Sequence, residues 1–148
     1  MVILDIIKFL TWMLIGHVIA ATILYFNHRF VFHGRLGLLP LFKDIKKLHT
    51  LHHLHSFSDK VIESMNTPLW GRLLLGSFFI GAAVIITPAF GFGMLSFAGV
   101  YAYRHKLSHV GDSSYFALHH LHHHKNANVN FAGVYPIFDK IFLTHEDY

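Results

Sequence analysis

The sequence predicts an all-helical integral-membrane protein, a bundle of about three spans with its polar, histidine-rich segments on the cytoplasmic side. Three observations predict it. Hydrophobic residues make up 53% of the 148 and charged residues only 14%, against roughly 25% charged in a soluble domain, and mean hydropathy is +0.45. Apolar runs of near-bilayer length alternate with polar blocks. Histidine supplies 15 residues, and most of them fall in those polar blocks at helical spacings.

The length fits one domain, 1–148, with no room for a separate cofactor module. The first apolar run, 6–26, is interrupted by Lys8 and His17 and is long enough to span a bilayer as a helix. No small-residue cleavage site follows a short apolar stretch, so the run reads as a span and not as a removed signal. A polar stretch with His28, His33, His49, His52, His53 and His55 comes next. Runs 69–86 and 89–103 then form an apolar hairpin divided by Thr87-Pro88, with no charge in its turn. Each arm is slightly short, which tilting or a re-entrant pair accommodates; spanning is the reading adopted. The last block, 104–148, is again polar and rich in histidine.

Charge gives the topology. Arg29, Arg35, Lys43, Lys46, Lys47 and Lys60 follow the first run, and Arg104, Lys106, Lys125 and Lys140 follow the hairpin. Basic loops favour the cytoplasmic side. One span before and two between place both histidine blocks in that one compartment, as a shared site requires. The net charge of +4 and pI near 9.4 do not make a nucleic-acid binder, because the basic residues lie between apolar runs and form no contiguous stripe. The absence of cysteine excludes disulfides, thiolate metal sites and a cysteine nucleophile.

Ten histidines fall into four spaced groups. His28 and His33 form HX4H, His49, His52 and His53 form HX2HH, His105 and His109 form HX3H, and His120, His123 and His124 form a second HX2HH. Residues three and four apart share a helix face, so HX3H and HX2HH each aim imidazoles at one point. Five apart is off by more than a third of a turn, so His28 and His33 require a helix end, a bulge or two different metals. Ten imidazoles exceed the need of one ion. Divided between two metals they give about five each, near an octahedral shell with an open position, which suits iron better than zinc. The competing reading is a histidine-rich surface tract with adventitious metal affinity, which four separate ligand-spaced groups argue against. His17, His55 and His145 match no group and read as interfacial polar residues. His17, inside an apparent span, is either functional or a neutral, hydrogen-bonded core histidine.

These groups resemble the membrane fatty acid hydroxylase superfamily, and most closely its fatty acid 2-hydroxylase branch, over roughly 25–144. The resemblance lies in His28-Arg29-Phe30-Val31-Phe32-His33, in Leu48-His49-Thr50-Leu51-His52-His53 with Asp59-Lys60 beyond it, and in Tyr103-Arg104-His105-Lys106-Leu107-Ser108-His109. It continues in His119-His120-Leu121-His122-His123-His124 and in Phe138-Asp139-Lys140-Ile141-Phe142-Leu143-Thr144. It implies a helical cap holding a di-metal site beneath a short transmembrane bundle, ligated by His28, His33, His49, His52, His53, His105, His109, His120, His123 and His124. It also implies two iron ions, O2 as co-substrate, a lipid substrate, and a separate electron donor of cytochrome b5 or ferredoxin type; because imidazole sites favour zinc over Fe(II), zinc can replace iron in the protein as isolated. The spacing His119-X2-His122-His123 satisfies the last box equally well, and both registers stand open. Desaturases, sterol oxidases and carotenoid hydroxylases share the box plan, and a non-catalytic membrane metal-binding protein is the reading from outside the enzymes. Asn27, Asn66, Asp112, Asn128, Asn130 and Asp139 flank the boxes. Asp112 and Asp139 are the candidates to hold the outer nitrogen of a ligating imidazole.

Overall fold

The structure, a computed structural model, describes residues 2–64 and 68–147; Asn66 lies outside them. Every regular element among the described residues is helical: α1 (Val2–Phe26), a π-helical turn (Asn27–Phe32), a 3-10 turn (Arg35–Leu38), α2 (Lys43–His55), α3 (Val61–Ser64), α4 (Leu69–Ile85), α5 (Pro88–Ser108), α6 (Tyr115–Lys125) and α7 (Ile137–Ile141). The protein divides into two compact units, Met1–Thr22 with Thr67–Val100, and Ile23–Asn66 with Tyr101–Tyr148.

In the first unit, α1 and α5 approach closely because glycine stands at the crossing. A Cβ on Gly16 would overlap the Phe90 carbonyl oxygen, and one on Gly93 would overlap that of Met13. Small residues of this kind let backbones meet where no hydrophobic force drives helices together. Ala20 and Ala21 of α1 and Ala89, Phe90, Met94 and Phe97 of α5 are buried. His17 donates Nδ1–H to Ser96 Oγ at 2.7 Å, since the Ser96 hydroxyl proton is already given to the Gly93 carbonyl, and its ring meets Phe97 edge-on at 5.4 Å. His17 is thus a hydrogen-bonded, partly exposed histidine between α1 and α5.

The outside of this unit is apolar. No side chain of α4 is buried, and Leu73, Val84 and Ile85 are among its most exposed residues. Such a surface is stable in hydrocarbon and a liability in water. Among the described residues, the continuous rod Val2–Phe32 is the one helix long and apolar enough to cross a membrane by length and composition; α4, at 17 residues, is shorter. The hairpin break falls at Thr87 for a local reason. Thr87 Oγ1 accepts the Phe90 N–H at 3.1 Å, and Pro88 occupies the first helical position, where its missing N–H costs nothing. The arm expected over 89–103 is longer than that, because α5 continues to Ser108 and so holds the HX3H group in helical register.

The second unit is organised around Tyr25. It is buried with Phe131 and Ala132, and its ring stacks on Phe142 at 5.0 Å and Phe138 at 6.0 Å. Its hydroxyl lies 2.8 Å from Thr144 Oγ1. Lys46 of α2 is half-buried and donates Nζ–H to the carbonyls of Phe32 and Gly34, both at 3.1 Å. It ties α2 to the end of the π-helical turn, a role beyond that of a loop charge. Helix α6 starts at Ser114, whose side group accepts the Ala117 N–H, and Asp112 in turn accepts the Ser114 N–H and Oγ–H.

Candidate metal centre

The ten spaced histidines lie in this second unit and form two groups. His28, His33, His49, His53 and His123 make the first; His52, His105, His109, His120 and His124 make the second. Within each group one ring nitrogen from every residue lies within 4.8 Å of the others.

The backbone explains the partition. The π-helical turn closes with the His33 N–H on the His28 carbonyl at 3.1 Å, a five-residue repeat that stacks the two ends of HX4H on one face. This is the bulge that the five-residue spacing demands, and π-turns of this type recur at functional sites. The HX2HH groups behave otherwise than expected. Neither points at one centre: in α2, His49 and His53 (i, i+4) serve the first group and His52 the second. In α6, His120 and His124 serve the second group and His123 the first. A residue at i+3 sits on the other flank of the i, i+4 ridge, so each helix straddles both groups. His105 and His109, four apart along α5 and its end, both enter the second.

Neighbouring Nε2 atoms stand about one coordination edge apart. In the first group His28–His49 is 3.1 Å, His33–His49 2.8 Å, His49–His53 3.1 Å and His33–His123 3.0 Å. In the second, His52–His105 is 3.0 Å, His109–His120 3.1 Å and His120–His124 2.9 Å. A metal–imidazole bond of ~2.0–2.1 Å places donors ~2.9 Å apart at right angles and ~3.3–3.4 Å apart in a tetrahedron. The spacing fits octahedral or square-pyramidal edges.

The outer nitrogens show why these atoms are bare lone pairs. His28 Nδ1–H donates to the Phe131 carbonyl at 2.5 Å and His123 Nδ1–H to that of Val129 at 2.7 Å. His52 Nδ1 lies 3.2 Å from Ser64 Oγ, and His124 Nδ1 2.5 Å from Ser56 Oγ. Both serine protons are already committed, to the Val61 and His52 carbonyls, so the imidazoles must be the donors. In each of these four rings the proton sits on Nδ1 and the Nε2 lone pair faces inward. Lone pairs converging at this separation repel unless a cation lies among them, so the donor set fits a metal ion.

Electrostatics favours the same state. Burial, and then the neighbouring imidazoles, push His49 and His120 well below the usual histidine range. Burial also lowers His33 and His53 to about 4 and His52 to about 3. Burial depresses His123 and His124 as well. These rings are neutral at pH 7, the form in which imidazole binds metal.

His119, His122 and His145 of this unit have other partners, and His55 joins neither group. His119 Nε2–H donates to Asp139 Oδ2 at 2.9 Å, and His122 Nε2 lies 3.5 Å from Glu146 Oε1. Both stand outside the two groups, so the structure gathers the register beginning at His120. His145 meets Asp147 at 3.1 Å. Neither Asp112 nor Asp139 touches an imidazole of either group. Asp112 is a turn residue before α6, and Asp139 binds His119 and loop backbone. Sequence reasoning missed the residues that do hold the outer nitrogens, Ser56, Ser64 and the carbonyls of Val129 and Phe131. It also missed Phe131 as a wall, its ring 5.6–5.9 Å from those of His28, His33 and His123.

Fold and site together define a helical protein with one long apolar rod and two adjacent five-imidazole pockets able to hold metal. The fatty acid hydroxylase family model matches residues 13–144, and the protein belongs to that family of membrane-associated lipid-oxidising enzymes. No curated protein and no solved structure matches it.

Proposed function

We propose that the protein is a di-iron, O2-dependent lipid hydroxylase of the fatty acid or sphingolipid 2-hydroxylase kind, inserting oxygen into a C–H bond of an acyl tail. One observation carries this reading: two groups of five imidazoles, with ligand atoms within 4.8 Å of each other, at the boxes that the family model spans. His28, His33, His49, His53 and His123 hold one ion; His52, His105, His109, His120 and His124 hold the other. Bound there, a redox-active iron pair supplies the oxidising power that amino-acid side groups lack.

The protein's own residues do the rest. Neutral imidazoles donate without adding charge, and none is a thiolate open to oxidation. The Nδ1–H bonds of His28, His52, His123 and His124 hold four rings in the ligating tautomer. Phe131 and Phe32 line the first group; Phe32 lies 4.8 Å from His49, and such walls keep water away. The reaction balances as R–H + O2 + 2 electrons + 2 protons giving R–OH + H2O, the electrons coming from a separate cytochrome b5- or ferredoxin-like protein. The lipid and the bilayer are the remaining partners. Helices α1, α4 and α5 serve as three spans, and the basic segments after each apolar region place both histidine blocks in the cytoplasm.

Mass spectrometry of lipid extracts from cells with and without the protein tests this. A lipid species gaining one oxygen, absent with a His109→Ala variant, is the expected result. A species losing two hydrogens makes the enzyme a desaturase, and no lipid change in cells that hold the metal-loaded protein contradicts the enzyme reading.

A further inference from the structure

We propose that Asp139 is the positioning residue of the first histidine group, acting through the loop that presents the Val129 and Phe131 carbonyls. The proposal rests on the two-metal reading above.

Asp139 is fully buried and accepts four hydrogen bonds. Its Oδ1 takes the Phe131 N–H at 2.8 Å and the Thr144 Oγ1–H at 2.7 Å. Its Oδ2 takes the Ala132 N–H at 2.9 Å and the His119 Nε2–H at 2.9 Å. A carboxylate is acceptor-only, so four converging donors fill its capacity and fix its orientation. Phe131 is therefore gripped on both sides: its N–H by Asp139, its carbonyl by His28 Nδ1–H. The loop start is held as well. Asn130 adopts a left-handed φ of 55° and donates its N–H to the Thr144 carbonyl at 2.8 Å, while the Thr144 N–H bonds the Asp139 carbonyl at 2.8 Å. Two residues of this loop, Val129 and Phe131, orient His123 and His28.

Among the described residues, no hydrogen bond joins Asp139 or its loop to an oriented ring of the second group. Its oriented rings, His52 and His124, bond to Ser64 and Ser56. Loss of Asp139 thus predicts a defect confined to one ion. Asp139→Asn keeps the shape and turns one acceptor into a donor facing N–H or O–H groups, so the loop loses its anchor. Partners that orient a metal-bound imidazole change affinity about 10–100-fold, and a loss of this size is expected at the first group alone.

The test is a metal count on purified protein loaded with Co(II) and dialysed. Four forms are compared: wild type, Asp139→Asn, His109→Ala (a second-group ligand) and the double variant. The expected ions per molecule are two, one, one and none. A double variant that still holds the one ion of His109→Ala overturns the proposal, because both changes then act on the same pocket. Equal loss of both ions from Asp139→Asn overturns it too, since confinement is the claim. A wild-type count of one or none removes the two-metal reading itself. Thr144→Val takes away one of the four donors and leaves the carboxylate; it should weaken the same ion by a smaller factor, and no effect there counts against the loop as the route.

Discussion

Three adjacent histidines of α6 have three different environments: His122 faces Glu146, His123 belongs to the first group and His124 to the second. Substitutions should sort accordingly. His120→Ala, His123→Ala and His124→Ala should each abolish lipid oxidation and release an ion, while His122→Ala should keep most activity, measured by product formation and metal content. His119→Ala should keep all ten donors yet destabilise the fold by about 1–3 kcal/mol, seen in thermal unfolding, because it leaves part of a buried carboxylate unsatisfied. Sequence spacing alone left two registers for this box, since both repeat the same interval. Asp139 and Glu146 resolve them, 20 and 24 residues downstream of their partners His119 and His122, and no local pattern reveals such pairs. Ser56 and Ser64 were illegible for a similar reason: a serine after a helix reads first as a cap.

Helical periodicity was legible at the scale of elements, and its exceptions were the informative places. The spacing of His28 and His33 excluded a regular α-helix, but the choice among helix end, bulge and separate metals needed the π-helical turn to be seen. The three-residue offset within each HX2HH implied a shared face, whereas the structure uses it to divide each helix between two pockets. The break at Thr87-Pro88 was readable because capping is local; the extension of α5 to Ser108 was not, since tyrosine and arginine at 103 and 104 resemble a span end. Gly16 and Gly93 gave no sequence signal, and their role appears only where two backbones meet. Gly93→Ala should therefore destabilise the first unit by about 1–3 kcal/mol through overpacking against Met13. Gly99, with open space where a Cβ would stand, is the control: Gly99→Ala should be neutral or stabilise by up to about 1 kcal/mol through helix propensity. Thermal unfolding in detergent reads both, and an equal response would mean that the α1–α5 approach is not held by Gly93.

Taken whole, the molecule places one group's pairs on the π-helical turn and α2, the other's on α5 and α6, and exchanges a single histidine each way. That plan explains why the ten spaced histidines come in two pairs and two triads. It also needs both histidine blocks in one compartment. Single-cysteine labelling, straightforward in a protein without native cysteine, should mark positions near Lys43 and Lys125 from the same side of the membrane and a position near Val2 from the other. All-helical class and the ten histidines were legible in composition and spacing; the number of spans was not, because α4 and α5 are short or weakly apolar. The central claim is that the histidines make two separate iron sites, and elemental analysis of protein purified from iron-supplemented cells tests it most directly. The account predicts two irons per molecule in the wild type, one in His53→Ala and one in His109→Ala. One iron or fewer in the wild type after full loading, or an unchanged count in both variants, would contradict it.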